Sequence, residues 1–177
     1  MTNPADDLRE LLERRVGILD GAWGTMLQSA GLGPVDYRDE RLAGHPRDVT
    51  GDPDLLNITR PDLVLDIHRR YLEAGADITT TNTFTATGIA QGDYDLEHLV
   101  REMNLQGARL ARRAADEIGA RTGTRRFVAG SVGPLNVTLS LSPKVDDPAY
   151  RTVTFDQVRD TYAEQIAALA EGGVDLL

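Results

Sequence analysis

Apolar positions along this chain alternate between helical and strand-like spacing, and that alternation predicts the order of its elements. Leu8, Leu11 and Leu12 share one face of ADDLRELLERR (5–15), which predicts a short amphipathic helix. Val16, Ile18 and Leu19 in VGILDGAWGT (16–25) suit a buried strand that ends at the turn signal Asp20-Gly21. Residues 31–57 are rich in Gly, Pro and Asp and predict a long loop, a length that goes with function or disorder. A helix should open with Thr59 as N-cap and Pro61 and Asp62 in its first turn. Its stripe is Val64, Ile67 and Tyr71, and Gly75 ends it.

A strand should follow over 76–84 (ADITTTNTF), then a long helix over roughly 94–119. That helix carries Leu96, Leu99, Val100, Met103, Leu110, Ala111, Ala114 and Ile118 at helical spacing. RFVAGSVGP (126–134) predicts another strand, and 135–153 a second long polar segment. The last helix should open on a capping box, Thr154 with Gln157, and bury Val158, Tyr162, Ile166 and Leu169.

Two junctions repeat: Glu73-Ala74-Gly75-Ala76-Asp77-Ile78 matches Glu171-Gly172-Gly173-Val174-Asp175-Leu176. Each reads as a helix end, a terminal glycine and the start of an apolar strand. A βα unit used at least twice implies a parallel sheet, and a closed eightfold barrel and an open doubly wound sheet both fit. No G-x-G-x-x-G follows the first strand and there is no P-loop, which lowers a nucleotide-binding reading. The last apolar run has only begun at Leu177. The expectation is an N-terminal helix over 1–15 and a partial barrel over 16–177, about strands 1–4, cut within the fourth.

Composition narrows the partners. A net charge of -9 argues against a nucleic-acid backbone and against an anionic membrane surface. The chain has no cysteine, so it can form no disulfide, thiolate nucleophile or cysteine-ligated metal site. Met1 to Arg15 is polar and acidic with no apolar core of a secretory signal, and no stretch approaches the roughly 20 apolar residues of a membrane span. A cytoplasmic setting is therefore expected, and the N-x-T sequons at Asn57 and Asn136 are read as chance.

In parallel βα folds ligands bind at the carboxyl ends of strands. That rule selects Asp20–Thr25, Thr81–Phe84 and Ser131–Asn136. Asp20 could accept hydrogen bonds from a substrate ammonium or act as a base, while Gly21 and Gly24 would let a ligand approach backbone N–H groups. Asp-Gly could equally do no more than turn the chain. The Thr79–Thr83 run has good strand propensity on its own account, and Asn82, harder to bury without a partner, is the better ligand candidate. Ser131, Gly133 and Asn136 form the third patch, where Gly-Pro could serve a turn alone. His45, His68 and His98 are scattered with no zinc-like spacing, and His68 and His98 lie on helices, where an exposed or half-buried histidine is the usual case.

Several of these segments together resemble one family. LDGAWGTMLQ (19–28), DLLNITRP (54–61), EAGADITTTNTF (73–84), Gly133-Pro134 and Ser-Leu-Ser-Pro (140–143) are similar to the homocysteine S-methyltransferases. Asp-Tyr-Arg (36–38) and DDPAYRTVTFDQ (146–157) resemble the N-terminal module of the cobalamin-dependent methionine synthases more than the betaine- or S-methylmethionine-dependent enzymes. Trp23 stands where methionine is usual. The resemblance implies a (β/α)8 TIM-type barrel, of which this chain would hold the first half, and transfer of a methyl group from methylcobalamin to homocysteine. Methyltetrahydrofolate would regenerate the donor, with the folate and cobalamin modules elsewhere in the same protein.

The family's zinc is held by three cysteines on later strands, so no zinc or cobalamin is expected on these residues and the chain alone is expected to be inactive. The resemblance assigns Asp20 to the substrate amine and the backbone from Gly21 through Ala22 and Gly24 to Thr25 to its carboxylate. Asn82 and Ser131 complete the candidate substrate-binding set. The alternatives are a homocysteine methyltransferase using a small methyl donor and a non-catalytic half-barrel interaction module.

Overall fold

The computed structural model describes residues 3–177. Four segments lie side by side, all parallel, in chain order. β1 (Ile78–Thr80) pairs with β2 (Phe127–Ala129), Ile78 opposite Phe127 and Thr80 opposite Ala129. Leu19 bridges to Ile78 on one side, and Leu176 bridges to Ala129 on the other. Parallel neighbours need crossover connections, and the helices α4 (Pro61–Glu73), α6 (Val100–Thr122) and α7 (Phe155–Gly172) supply them.

The strands are shorter than their apolar runs. The first is a single bridge, flanked by Asp77 N–H and Ile78 N–H to the Ile18 carbonyl (2.8 and 3.1 Å) and Asp20 N–H to the Ile78 carbonyl (2.9 Å). Beyond Thr80 one more backbone bond follows, Thr81 N–H to the Ala129 carbonyl at 2.9 Å, and the pairing then passes to a side chain, Ser131 N–H donating to the Thr81 hydroxyl. The helix ends at the two repeated junctions are as the sequence predicts: Gly75 and Gly173 take φ of 110° and 94°, which suit only glycine.

The structure departs from the periodicity in several places. α1 (Pro4–Arg14), capped by Asn3, buries none of its residues, and Leu12 remains 54% exposed. Residues 31–57 are an organised part of the core rather than a bare loop. They hold two 3-10 turns (Pro34–Tyr37 and Glu40–Leu42) and then α3 (Leu56–Thr59). Tyr37, Leu42, Val49, Leu55 and Leu56 pack in one cluster with Val64, Ile67, Leu96 and Met103. The Arg38 guanidinium holds this segment by donating to the carbonyls of Leu42, His45 and Arg47 (2.9, 3.0 and 2.6 Å).

Thr59 closes α3 instead of capping α4, whose N-cap is Arg60 with Pro61 at the first helical position. The long helix starts at Val100, after the short α5 (Gly88–Gln91) and 3-10 turns at Gly92–Tyr94 and Glu97–Leu99. A second apolar cluster, with Leu65, Leu72, Ala111, Ala114, Ile118 and Val128, joins α4 and α6 to the sheet.

α7 opens on the predicted capping box: Gln157 N–H donates to the Thr154 hydroxyl at 3.2 Å, and Thr154 N–H donates to the Gln157 side chain at 2.8 Å. Its buried face, however, is Thr161, Gln165, Ala168, Leu169 and Gly172, and Ile166 is exposed. The reason is a close crossing with α6. A methyl group on Gly172 would stand inside contact distance of the Ala108 methyl and 3.1 Å from the Leu105 carbonyl oxygen. Gly172→Ala is therefore expected to lower stability by about 2 kcal/mol, the overpacking cost exceeding the helix-propensity gain. An unshifted midpoint in urea denaturation would show that the two helices separate freely.

Candidate functional site

Asp20 sits at the carboxyl end of the first strand, 9% exposed. Its Oδ2 accepts from the Thr79 hydroxyl at 2.7 Å and from Thr80 N–H at 2.9 Å, and its Oδ1 accepts from the Thr80 hydroxyl at 2.8 Å. The carboxylate is thus fixed at three points by β1. Each carboxylate oxygen has two acceptor positions, so Oδ2 is filled and one position on Oδ1 is left for a ligand N–H.

The chain then turns through Gly21 and Ala22, where Ala22 takes φ 47°, into α2 (Trp23–Ser29). Gly21, Ala22, Gly24 and Thr25 are all exposed, and a Cβ built on either glycine meets nothing within 4 Å. Met26 N–H is bonded back to the Ala22 carbonyl at 3.1 Å, so the amides of Trp23, Gly24 and Thr25 precede the intrahelical ladder. Open backbone donors therefore stand next in sequence to a fixed carboxylate.

The second and third strand ends are zipped together. Ser131 N–H donates to the Thr81 hydroxyl (2.8 Å), the Thr83 hydroxyl donates to the Ser131 carbonyl (2.9 Å), and the two threonine hydroxyls lie 2.6 Å apart. With the Thr83 hydrogen used on Ser131, Thr81 must donate to Thr83. Ser131 enters this ring through its backbone. Asn82 is buried, and its amide donates to the Pro53 carbonyl at 2.6 Å. Asn57 returns a bond to the Asn82 carbonyl at 2.6 Å. That pair anchors the 31–57 segment to β1, and Asn57, 1% exposed, is closed to glycosylation. Gly133 approaches Phe84 so closely, its N–H 3.1 Å from the Phe84 carbonyl, that a Cβ would collide. The structure thus joins Asp20 to Thr79 and Thr80, and Ser131 to Thr81 and Thr83, and directs the amide of Asn82 into the protein.

Three buried titratable groups differ from the sequence reading: His68, expected exposed or half-buried, and Asp52 and Asp54, which it did not single out. His68 is fully buried, its Nδ1 2.7 Å from the Thr79 hydroxyl and its ring edge-on to Trp23 at 4.6 Å between centroids. Burial lowers its pKa to about 3. The available signal was its place four residues after Val64, on the apolar face of α4. Asp52 and Asp54 are both fully buried, and burial pushes their carboxyls up to about 6 and about 7, the Asp52 charge adding to the effect on Asp54. Thr85 donates to Asp54 through its N–H (3.1 Å) and its hydroxyl, and Gln91 donates to Asp52 at 3.2 Å. His45 bonds the Tyr94 carbonyl at 2.7 Å, and His98 is exposed.

A homocysteine S-methyltransferase family model matches residues 17–177, nearly the whole chain. The chain belongs to this family. Among solved structures it is similar to the homocysteine methyltransferase MmuM from Escherichia coli. The oxidized form is 25% identical with a TM-score of 0.70, over 99% of this chain and 56% of that one. The metallated form is 24% identical with the same TM-score, over 96% of this chain and 56% of that one. The chain thus spans about half the length of the structures it matches, and its fold is the corresponding part of their α/β barrel. The residues present do not fit a zinc centre: the sequence has no cysteine, and no group of three His, Cys, Asp or Glu side chains among the described residues could hold a metal. No helix among those residues is long and apolar enough to cross a membrane.

Proposed function

We propose that this segment supplies the amino-acid-binding end of an enzyme that methylates the sulfur of homocysteine. The observation that carries the reading is Asp20, a carboxylate held at three points at a strand's carboxyl end with one acceptor position open. Asp20 receives the substrate ammonium, and the exposed amides from Gly21 to Thr25 receive its carboxylate. The homocysteine thiol gives up its proton to water, and as the sulfur attacks the methyl carbon the new S–C bond forms while the donor–methyl bond breaks, its electron pair staying with the donor. The methyl donor we propose is methylcobalamin on a separate module, regenerated by methyltetrahydrofolate. The support is the resemblance of residues 36–38 and 146–157 to the cobalamin-dependent methionine synthases. Zinc, in this reading, is held by residues of the complete protein outside this segment.

In the complete gene product, Asp20→Asn is expected to raise the KM for homocysteine about ten- to a hundredfold, the worth of one hydrogen bond to a charged group. Folding should be spared because the single Asn oxygen accepts from the Thr79 hydroxyl and Thr80 N–H in place of Oδ2, while its NH2, standing at Oδ1, donates to the Thr80 hydroxyl oxygen, whose hydrogen rotates away. An unchanged KM would leave Asp20 a role in the fold alone. Assays with methylcobalamin, S-methylmethionine and betaine side by side identify the donor, and turnover with either small donor alone would replace the cobalamin reading.

A further inference from the structure

Asp20 is oriented by a chain of buried groups that begins on α4. The Thr79 oxygen lies 2.7 Å from both Asp20 Oδ2 and His68 Nδ1. A threonine hydroxyl has one hydrogen, and a carboxylate only accepts, so that hydrogen goes to Asp20. The Thr79 oxygen must then accept from His68, which places the imidazole proton on Nδ1 and leaves Nε2 bare. Nε2 has no hydrogen-bond partner among the described residues. The ring is neutral because burial disfavours its charged form. Its plane is braced by Trp23, edge-on at 4.6 Å and three residues after Asp20, so carboxylate and brace belong to one turn.

We infer that His68 is a positioning residue for substrate binding: through Nδ1–H it holds the Thr79 hydroxyl in the orientation that donates to Asp20, leaving the open acceptor position on Asp20 Oδ1 for the substrate ammonium. The inference rests on the reading of Asp20 given above. With the opposite tautomer the hydroxyl would turn to His68, and Asp20 Oδ2 would lose one of its two donors. The consequence falls on homocysteine binding rather than on the methyl transfer itself.

The complete gene product, labelled with 15N-histidine, tests the chain directly. The expected spectrum shows His68 protonated on Nδ1 and bare at Nε2 from pH 5 to 8, and an Nε2–H tautomer would overturn the inference whatever Asp20 does. Kinetics supply the second readout. Thr79→Val should raise the KM for homocysteine about tenfold with kcat little changed, and Thr79→Ser should restore it. His68→Asn, which keeps a donor near Nδ1, should stay close to wild type, whereas His68→Phe should behave like Thr79→Val. If Asp20→Asn raises KM but Thr79→Val and His68→Phe do not, Asp20 binds substrate and the positioning role is wrong. If Asp20→Asn leaves KM unchanged while the Nδ1–H tautomer is present, the hydrogen-bonded chain stands as structure, the Asp20 reading fails, and the positioning role falls with it.

Discussion

Asp77→Ala is expected to lower the stability of this protein by about 3 kcal/mol at neutral pH. Asp77 is fully buried at the start of β1. Its carboxylate accepts from Ile18 N–H at 2.9 Å, from both terminal nitrogens of Arg15 at 2.6 and 2.7 Å, and lies 3.4 Å from Arg126. Arg15 is half exposed, so its ion pair is screened and contributes the smaller part. Arg126 is only 11% exposed and loses a buried counter-charge, and Ile18 N–H loses its acceptor at the edge of the sheet. Asp77→Asn keeps an acceptor for Ile18 and should cost less. The Arg15 hydrogen bond holds the carboxyl below its usual range. Its contribution is therefore complete above the unfolded value near 3.9 and disappears as pH falls through the lower folded value. Urea titrations of wild type and Asp77→Ala should give a wide gap at pH 7 that closes on acidification. A gap under about 1 kcal/mol at pH 7 would show that the interactions around Asp77 are replaced at little cost.

The same device recurs where the sequence repeats. Asp175 accepts from Val128 N–H at 2.9 Å and from Arg112 at 2.7 Å, as Asp77 accepts from Ile18 and Arg15. In each case a carboxylate at the start of one strand takes an amide from the strand before it. The repeat at 73–78 and 171–176 was plain in the amino-acid order, and with it the parallel βα organisation. Its energetic content was not, since that depends on arginines far away in sequence. The apolar stripe of α4 and the capping box of α7 were equally plain, because helical period and capping are local properties.

What the sequence concealed is non-local. Residues 31–57 look like a loop because Tyr37, Leu42 and Val49 reach the core from irregular backbone with no period to detect. Ile166 has the spacing of a core residue, yet the glycine and alanine contact between α6 and α7 turns another face of the helix inward. Around the candidate site, Asp20 stood out because Asp-Gly follows an apolar run. His68, eleven residues before the threonine it touches, carries no mark apart from its place on an apolar helix face. Asn82 stood out as a polar residue in a buried strand, and its partner proved to be the Pro53 carbonyl.

Asp54→Asn should stabilise the protein at pH 8 by about 2–4 kcal/mol, which makes Asp54 the opposite case to Asp77. Both carboxylates are fully buried, but among the described residues no cation is placed against Asp54. Its partners are Thr85, which donates twice to Oδ2, and its Oδ1 has none. Burial, reinforced by the charge of Asp52, raises its pKa to about 7. A raised folded value means that its contribution to stability is intact below the unfolded value near 3.9 and is lost as pH rises toward and through 7. An asparagine keeps the acceptor for Thr85 and carries no charge to desolvate. Its NH2 would stand where Oδ1 is unpartnered, near Asp52, whose Oδ2 also lacks a donor. The stability difference between Asp54→Asn and wild type should be small near pH 4, grow by up to about 1.4 kcal/mol per pH unit and level off above pH 7. Asp52 and the unfolded form of His68 also titrate in this range, but both residues are present in both proteins, so to first order the difference isolates Asp54. Urea denaturation at unit pH steps from 4 to 8 measures it. A difference that stays flat with pH would mean that Asp54 is charged and well solvated in the folded protein, contrary to its burial.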